Sequence, residues 1–135
     1  MTLREEVTAL LQALLRLDTV NPPGNETAAA ELLRDYLERS GVPCELVGRS
    51  PDRLNLVARL SGRGDGPSLA FLAHTDTVRA DPEEWTRDPW SGDLVDGEIW
   101  GRGALDMKDQ VGPARLHLHR SGVRAFVLPG ISSSR

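Results

Sequence analysis

"LAFLAHTDTV", residues 69–78, runs five apolar residues into a histidine and an aspartate. A continuous apolar run of this length beside turn residues is the pattern of a strand covered on both faces. It predicts a strand over 68–73, with His74 and Asp76 at its carboxyl tip. In α/β sheets, sites form outside the carboxyl ends of the strands. The stretch therefore decides both the fold and where to look for chemistry.

The segments before it supply the other layers. Residues 2–17 read as an amphipathic helix, with Leu3, Val7, Leu10, Leu11 and Leu14 at helical spacing. Thr2 and Glu5 have the spacing of a capping box. "DTVNPPGNE" at 18–26 breaks the pattern, because two prolines and a glycine cannot continue a helix. Asn25 is expected to cap a second helix over about 26–39, whose stripe is Ala29, Leu32, Leu33, Tyr36 and Leu37, with Gly41 as its stop. "CELV" at 44–47 and "LNLVARL" at 54–60 read as strands, the latter alternating Leu54, Leu56, Ala58 and Leu60. "SGRGDGP" at 61–67 is a turn; it lacks the lysine and helix of a phosphate-binding loop. Two helices followed by such strands predict an α/β layered domain.

Downstream, "LVDGEIW" at 94–100 places Asp96-Gly97 between apolar pairs, a strong hairpin signal. "GRGALDMKD" at 101–109 puts a glycine on each side of Arg102, which lets the backbone bend just before Asp106. From Gly112 the character changes. A Gly-Pro falls where "DMKDQV" should start a helix, and "GISSSR" looks like a frayed end.

Composition bounds the function. The chain has 135 residues, enough for one domain or part of one, and is 39% apolar and 27% charged, as a globular protein is. A net charge of −4 argues against nucleic acid as a partner, since phosphate binding needs clustered Lys and Arg. The single cysteine, Cys44, excludes an intrachain disulfide and a Cys-based zinc site, and reads as a small core residue. "MTLREEVTALL" has no secretory pattern and no segment has the ~20 apolar residues that span a membrane, so the expected location is the cytoplasm.

Three residues carry the chemistry. A neutral imidazole is a good zinc ligand when its tautomer and ring angle are fixed, and a carboxylate on the other ring nitrogen does that. His74 as ligand with Asp76 as its orienting partner is one reading; direct ligation by both is another. Taken singly, His-Thr-Asp is a hydrogen-bonded turn, and Asp106 after a glycine-rich turn is a helix cap. Together they gain meaning. A hairpin can fold back and bring Asp106 to the strand tip, where its two oxygens could bridge the two cations, ~3.5–4 Å apart, of a hydrolytic site. His117 and His119 in "RLHLHR" have no nearby acid and are taken as incidental.

In these motifs the sequence resembles the dinuclear-zinc metallopeptidases and deacylases, a family that includes acetylornithine deacetylase, succinyl-diaminopimelate desuccinylase, aminoacylases and glutamate-releasing carboxypeptidases. The resemblance rests on "NPPGNE" at 21–26, "LAHTDTV" at 72–78 and the run from Trp85 through "DPWSGDLVDGEIWGRGALDMKD", in order, over roughly residues 1–111. It implies an N-terminal portion of a zinc-peptidase catalytic domain, with a mixed sheet flanked by helices. It implies His74 as terminal ligand of one zinc, Asp106 as the carboxylate bridging two, and Asp76 as the catalytic acid behind the histidine. It implies hydrolysis of amide bonds in N-acyl amino acids or small peptides, with zinc as cofactor (nitrogen and oxygen ligands also accept cobalt or manganese).

The sequence also departs from the family. The general base lies in a Glu-Glu pair beyond the bridging aspartate, yet no acidic residue follows Asp109 here. The remaining ligands and the smaller domain through which relatives dimerise are expected further along. Residues 112–135 are therefore expected to be an atypical tail, frameshifted or disordered, and the chain alone an inactive fragment or one that associates with a partner chain.

Overall fold

The computed structural model describes residues 1–61 and 69–111, and the backbone of 125–129. Helix α1 spans Leu3–Leu15. Its capping box is complete: Thr2 Oγ1 accepts from the Glu5 amide at 3.3 Å, and Glu5 Oε2 accepts from the Thr2 amide at 2.6 Å. Helix α2 spans Thr27–Glu38. Here the expected Asn25 cap is not used. The flanking residue is Glu26, which makes no side-chain cap bond. Its carboxylate is instead gripped by both Arg53 Nη2 and Nε, at 2.8 and 3.0 Å. The Thr27 amide, which a cap would have satisfied, donates to Asp52 O at 3.1 Å. The last turn of α2 closes through Val42 N–H to Leu37 O and Gly41 N–H to Glu38 O, a Schellman motif that buries Val42 beside Leu37.

Strands β1 (Cys44–Val47), β2 (Asn55–Arg59), β3 (Leu69–Ala73) and β6 (Ala125–Pro129) form one sheet in the order β1-β2-β6-β3. β1 and β2 are antiparallel, as are β2 and β6, while β3 runs parallel to β6. The mixed sheet with helices packed on it is the α/β class expected. Leu56 and Ala58 of β2 are fully buried against Leu10, Leu14, Ala29, Ala30, Leu33 and Leu37 from the two helices. The predicted stripes hold, each with one neighbour added: Leu15 and Ala30 are also buried, while Leu3 is 46% exposed. Cys44 packs at the edge of this core, and burial pushes its thiol up to about 11.

One expectation is corrected. β3 is not covered on both faces: among the described residues Leu69 and Leu72 are 46% and 62% exposed. α2 packs on β1 and β2 at the far side of the sheet, and β3 is its edge. Ala125–Pro129, within the stretch expected to be an atypical tail, form the strand between β2 and β3. The remainder of that tail, His117 and His119, and most of the "SGRGDGP" turn lie outside the described residues.

The second sheet is the predicted hairpin. β4 (Leu94–Val95) and β5 (Glu98–Ile99) pair antiparallel through Asp96-Gly97. The loop before it is moored to α1: Gln12 Nε2 donates to Gly92 O at 2.7 Å and Arg16 Nε to Ser91 O at 2.8 Å. This fixes the hairpin as one wall above the tip of β3.

Candidate metal centre

The chain leaves β3 and is stitched at once to the proline-rich loop. Thr77 N–H donates to Thr19 O at 3.0 Å, Asn21 N–H to Thr77 O at 2.9 Å, and the buried Thr19 hydroxyl to Thr75 O at 2.7 Å. His74 and Asp76 thus stand on backbone held from behind rather than in a free loop. His74 Nδ1 lies 3.1 Å from Asp76 Oδ1 and 3.2 Å from Asp76 O. Both groups only accept, so a ring proton on Nδ1 would be bonded by them. The other Asp76 oxygen, Oδ2, accepts from Asn21 Nδ2 at 3.0 Å. Asp76 therefore sits behind the ring with both oxygens occupied, which is the arrangement of an orienting partner.

The ring's other nitrogen faces Asp106. His74 Nε2 and Asp106 Oδ1 are 3.1 Å apart. The turn that carries Asp106, Ala104–Lys108, follows Gly103 at φ +86. A side chain here would need the left-handed region, and its Cβ would stand 2.6 Å from Thr77 Cγ2. Gly103 therefore lets the Asp106 turn lie directly on the strand-tip segment. The turn is pinned at its far end by Lys108, which is fully buried and donates through Nζ to Leu14 O at 2.8 Å and Leu17 O at 3.3 Å. An ammonium at the carbonyl end of α1 suits the helix dipole, and it adds a second donor to Leu14 O, which also accepts from Leu17 N–H at 3.3 Å. Burial lowers its pKa from 10.5 to about 8. α1 has no basic residue in its own last turn, so Lys108 supplies the missing charge from across the sequence.

The three predicted residues are thus brought together, while two supporting residues were not foreseen. Asn21 gave a signal only as the polar residue heading "NPPG". Lys108 gave no signal of its own in the sequence. The site opens into a cleft of about 540 Å³ that Asn21, Trp85, Trp100 and Arg102 also line.

The donor set fits one edge of a cation site. With the ring proton on Nδ1, Nε2 would turn its lone pair toward a carboxylate oxygen 3.1 Å away, and a cation between the two, a proton or a metal ion, would satisfy both. Donors ~2.0–2.1 Å from a tetrahedral zinc stand ~3.3–3.4 Å apart, close to this spacing. Among the described residues no group of three or more His, Cys, Asp or Glu converges to hold a metal. A closed site uses three or four protein ligands, more than these two donors supply.

The fold is shared with solved metallopeptidases. An M20 family metallo-carboxypeptidase from Sulfolobus solfataricus superposes with a TM-score of 0.75 at 22% identity, covering 93% of this chain and 30% of the other. Human carnosine dipeptidase 1 superposes with a TM-score of 0.69 at 21% identity, covering 93% and 32%. Residues 70–116 match the profile of peptidase family M20/M25/M40. Succinyl-diaminopimelate desuccinylase of Cereibacter sphaeroides is 38% identical over 124 residues, 91% of this chain and 29% of the relative. The Methylorubrum extorquens desuccinylase is 44% identical over 105 residues, 74% of this chain and 26% of the relative. The chain belongs to the M20 peptidase family, and spans under a third of the length of these relatives.

Proposed function

We propose that this chain supplies one corner of a metal-dependent amide-hydrolysing site, with His74 and Asp106 as ligands and Asp76 fixing the imidazole. The supporting observation is the 3.1 Å approach of Nε2 and Oδ1 with Nδ1 held by Asp76. A divalent cation bound there would acidify water and polarise an amide carbonyl. The chain's own part is narrower. Asp76 accepts the Nδ1 proton and keeps Nε2 free of it; Asn21 keeps Asp76 in that rotamer; Gly103 and Lys108 hold the Asp106 turn. The substrate class is N-acyl amino acids or small peptides, as the names of the relatives suggest.

The described residues bring two donors together, and such a pair by itself is expected to bind metal weakly and not to hydrolyse. Calorimetry with zinc is expected to give weak binding that His74→Ala and Asp106→Ala each abolish. N-succinyl amino acids and dipeptides are expected to survive incubation with the metal-loaded chain. Zinc binding unaffected by either substitution would overturn the ligand assignment, and sustained turnover would overturn the statement that more of the site is required. A second reading, association with a partner chain, draws on the exposed Leu69 and Leu72 of edge strand β3. Sedimentation at rising concentration tests it, and a monomer throughout would count against it.

A further inference from the structure

Arg102 lines the cleft, as do Glu98 and Trp100, outside the metal corner. Its amide is fixed, donating to Pro89 O at 2.7 Å. Its guanidinium carbon lies 5.1 Å from the centroid of the Trp85 ring. Its Nε is buried and has no hydrogen-bond partner. Among the described residues the side chain donates no hydrogen bond and meets no carboxylate, whereas Arg53 and Arg34 each grip one.

We propose that Arg102, backed by Trp85, is a subsite for a free carboxylate of the substrate. The guanidinium is a planar fork that pairs with a carboxylate through two parallel N–H bonds. The indole face behind it holds the cation in one plane and leaves the opposite side for the ligand. Arg102 and Trp85 line the same cleft as His74 and Asp106. Arg102 precedes Asp106 by four residues, so their Cα atoms are at most ~14 Å apart. An acyl amino acid with a free carboxylate can place that group on Arg102 while its amide approaches the His74–Asp106 edge. The inference rests on the amide-hydrolase reading for its purpose, but the binding itself can be measured without it.

The test uses the full chain in chelator, so that no metal contributes. Succinate is the probe and succinamide its uncharged counterpart. The indole N–H signals of Trp85, Trp90 and Trp100 report by NMR. Succinate is expected to shift the Trp85 signal saturably while succinamide does not. Arg102→Gln is expected to weaken succinate at least roughly tenfold, the loss of a charge-assisted pair. Wild-type affinity in Arg102→Gln, an equal response to succinamide, or no effect on Trp85 would each overturn the subsite. An unshifted Trp90 signal reports that the variant is folded. If it is not, Arg102→Lys decides: several-fold weaker binding supports the fork, and unchanged affinity overturns it. Failure here leaves zinc binding by His74 and Asp106 untouched, and failure of zinc binding leaves this result standing.

Discussion

Replacing Gly103 with alanine perturbs the site at its narrowest point. The backbone at 103 sits at φ +86, which costs a non-glycine residue about 1–2 kcal/mol. The new Cβ would stand 2.6 Å from Thr77 Cγ2, far inside contact distance, and such overpacking costs about 1–3 kcal/mol. Lower entropy of the unfolded chain returns about 0.4–1 kcal/mol. The net expectation is a loss near 3 kcal/mol, read by urea unfolding. Thr77→Ala removes the clashing methyl but not the backbone strain. The double variant should therefore recover about 1–2 kcal/mol relative to additivity, a coupling that a double-mutant cycle isolates. The turn that shifts also carries Asp106, so zinc affinity should fall about 10–100-fold, as for other supporting contacts. Wild-type stability in Gly103→Ala, or strict additivity with Thr77→Ala, would refute the close approach on which the Asp106 placement depends.

Other perturbations test separate supports. Asn21→Ala frees Asp76 Oδ2 and is expected to lower zinc affinity about 10-fold with little change in the urea midpoint. Lys108→Met strips the donor from Leu14 O and Leu17 O, and is expected to cost about 1–3 kcal/mol in the same unfolding assay. Leu56→Ala empties a fully buried position between sheet and helices, with an expected loss of about 2–5 kcal/mol. Cys44 gives a pH signature. Its thiol is raised from 9.0 to about 11 by burial, so the unfolded chain ionises first. The folded state then binds the proton more tightly, and this contribution to stability is whole below pH 9.0 and is lost as pH rises toward about 11. Cys44→Ala should flatten that part of the stability profile, measured by urea unfolding from about pH 8 to about pH 11.

What the sequence made legible was local. The capping box at Thr2 and Glu5, the apolar stripes of both helices and the Asp96-Gly97 turn depend on residues a few positions apart, and all appear in the structure. His74 and Asp76 were readable for the same reason, since two residues on extended backbone share a side. What escaped notice is set by partners distant in sequence. Asn25 is a good cap in isolation, but Asp52 and Thr27 settle the start of α2 instead. Lys108 lies 94 positions from the carbonyl it satisfies, and Asn21 lies 55 from Asp76. The exposure of Leu69 and Leu72 follows from the place of β3 at the sheet edge, which an apolar run cannot reveal.

The central claim concerns one nitrogen. In a zinc titration followed by ¹⁵N NMR of the histidine ring, the account predicts that His74 Nε2 moves to the position of a metal-bound nitrogen. Nδ1 should stay protonated against Asp76, and Asp106→Ala should abolish the change. A shift confined to Nδ1, or an Nε2 shift that persists without Asp106, would contradict it.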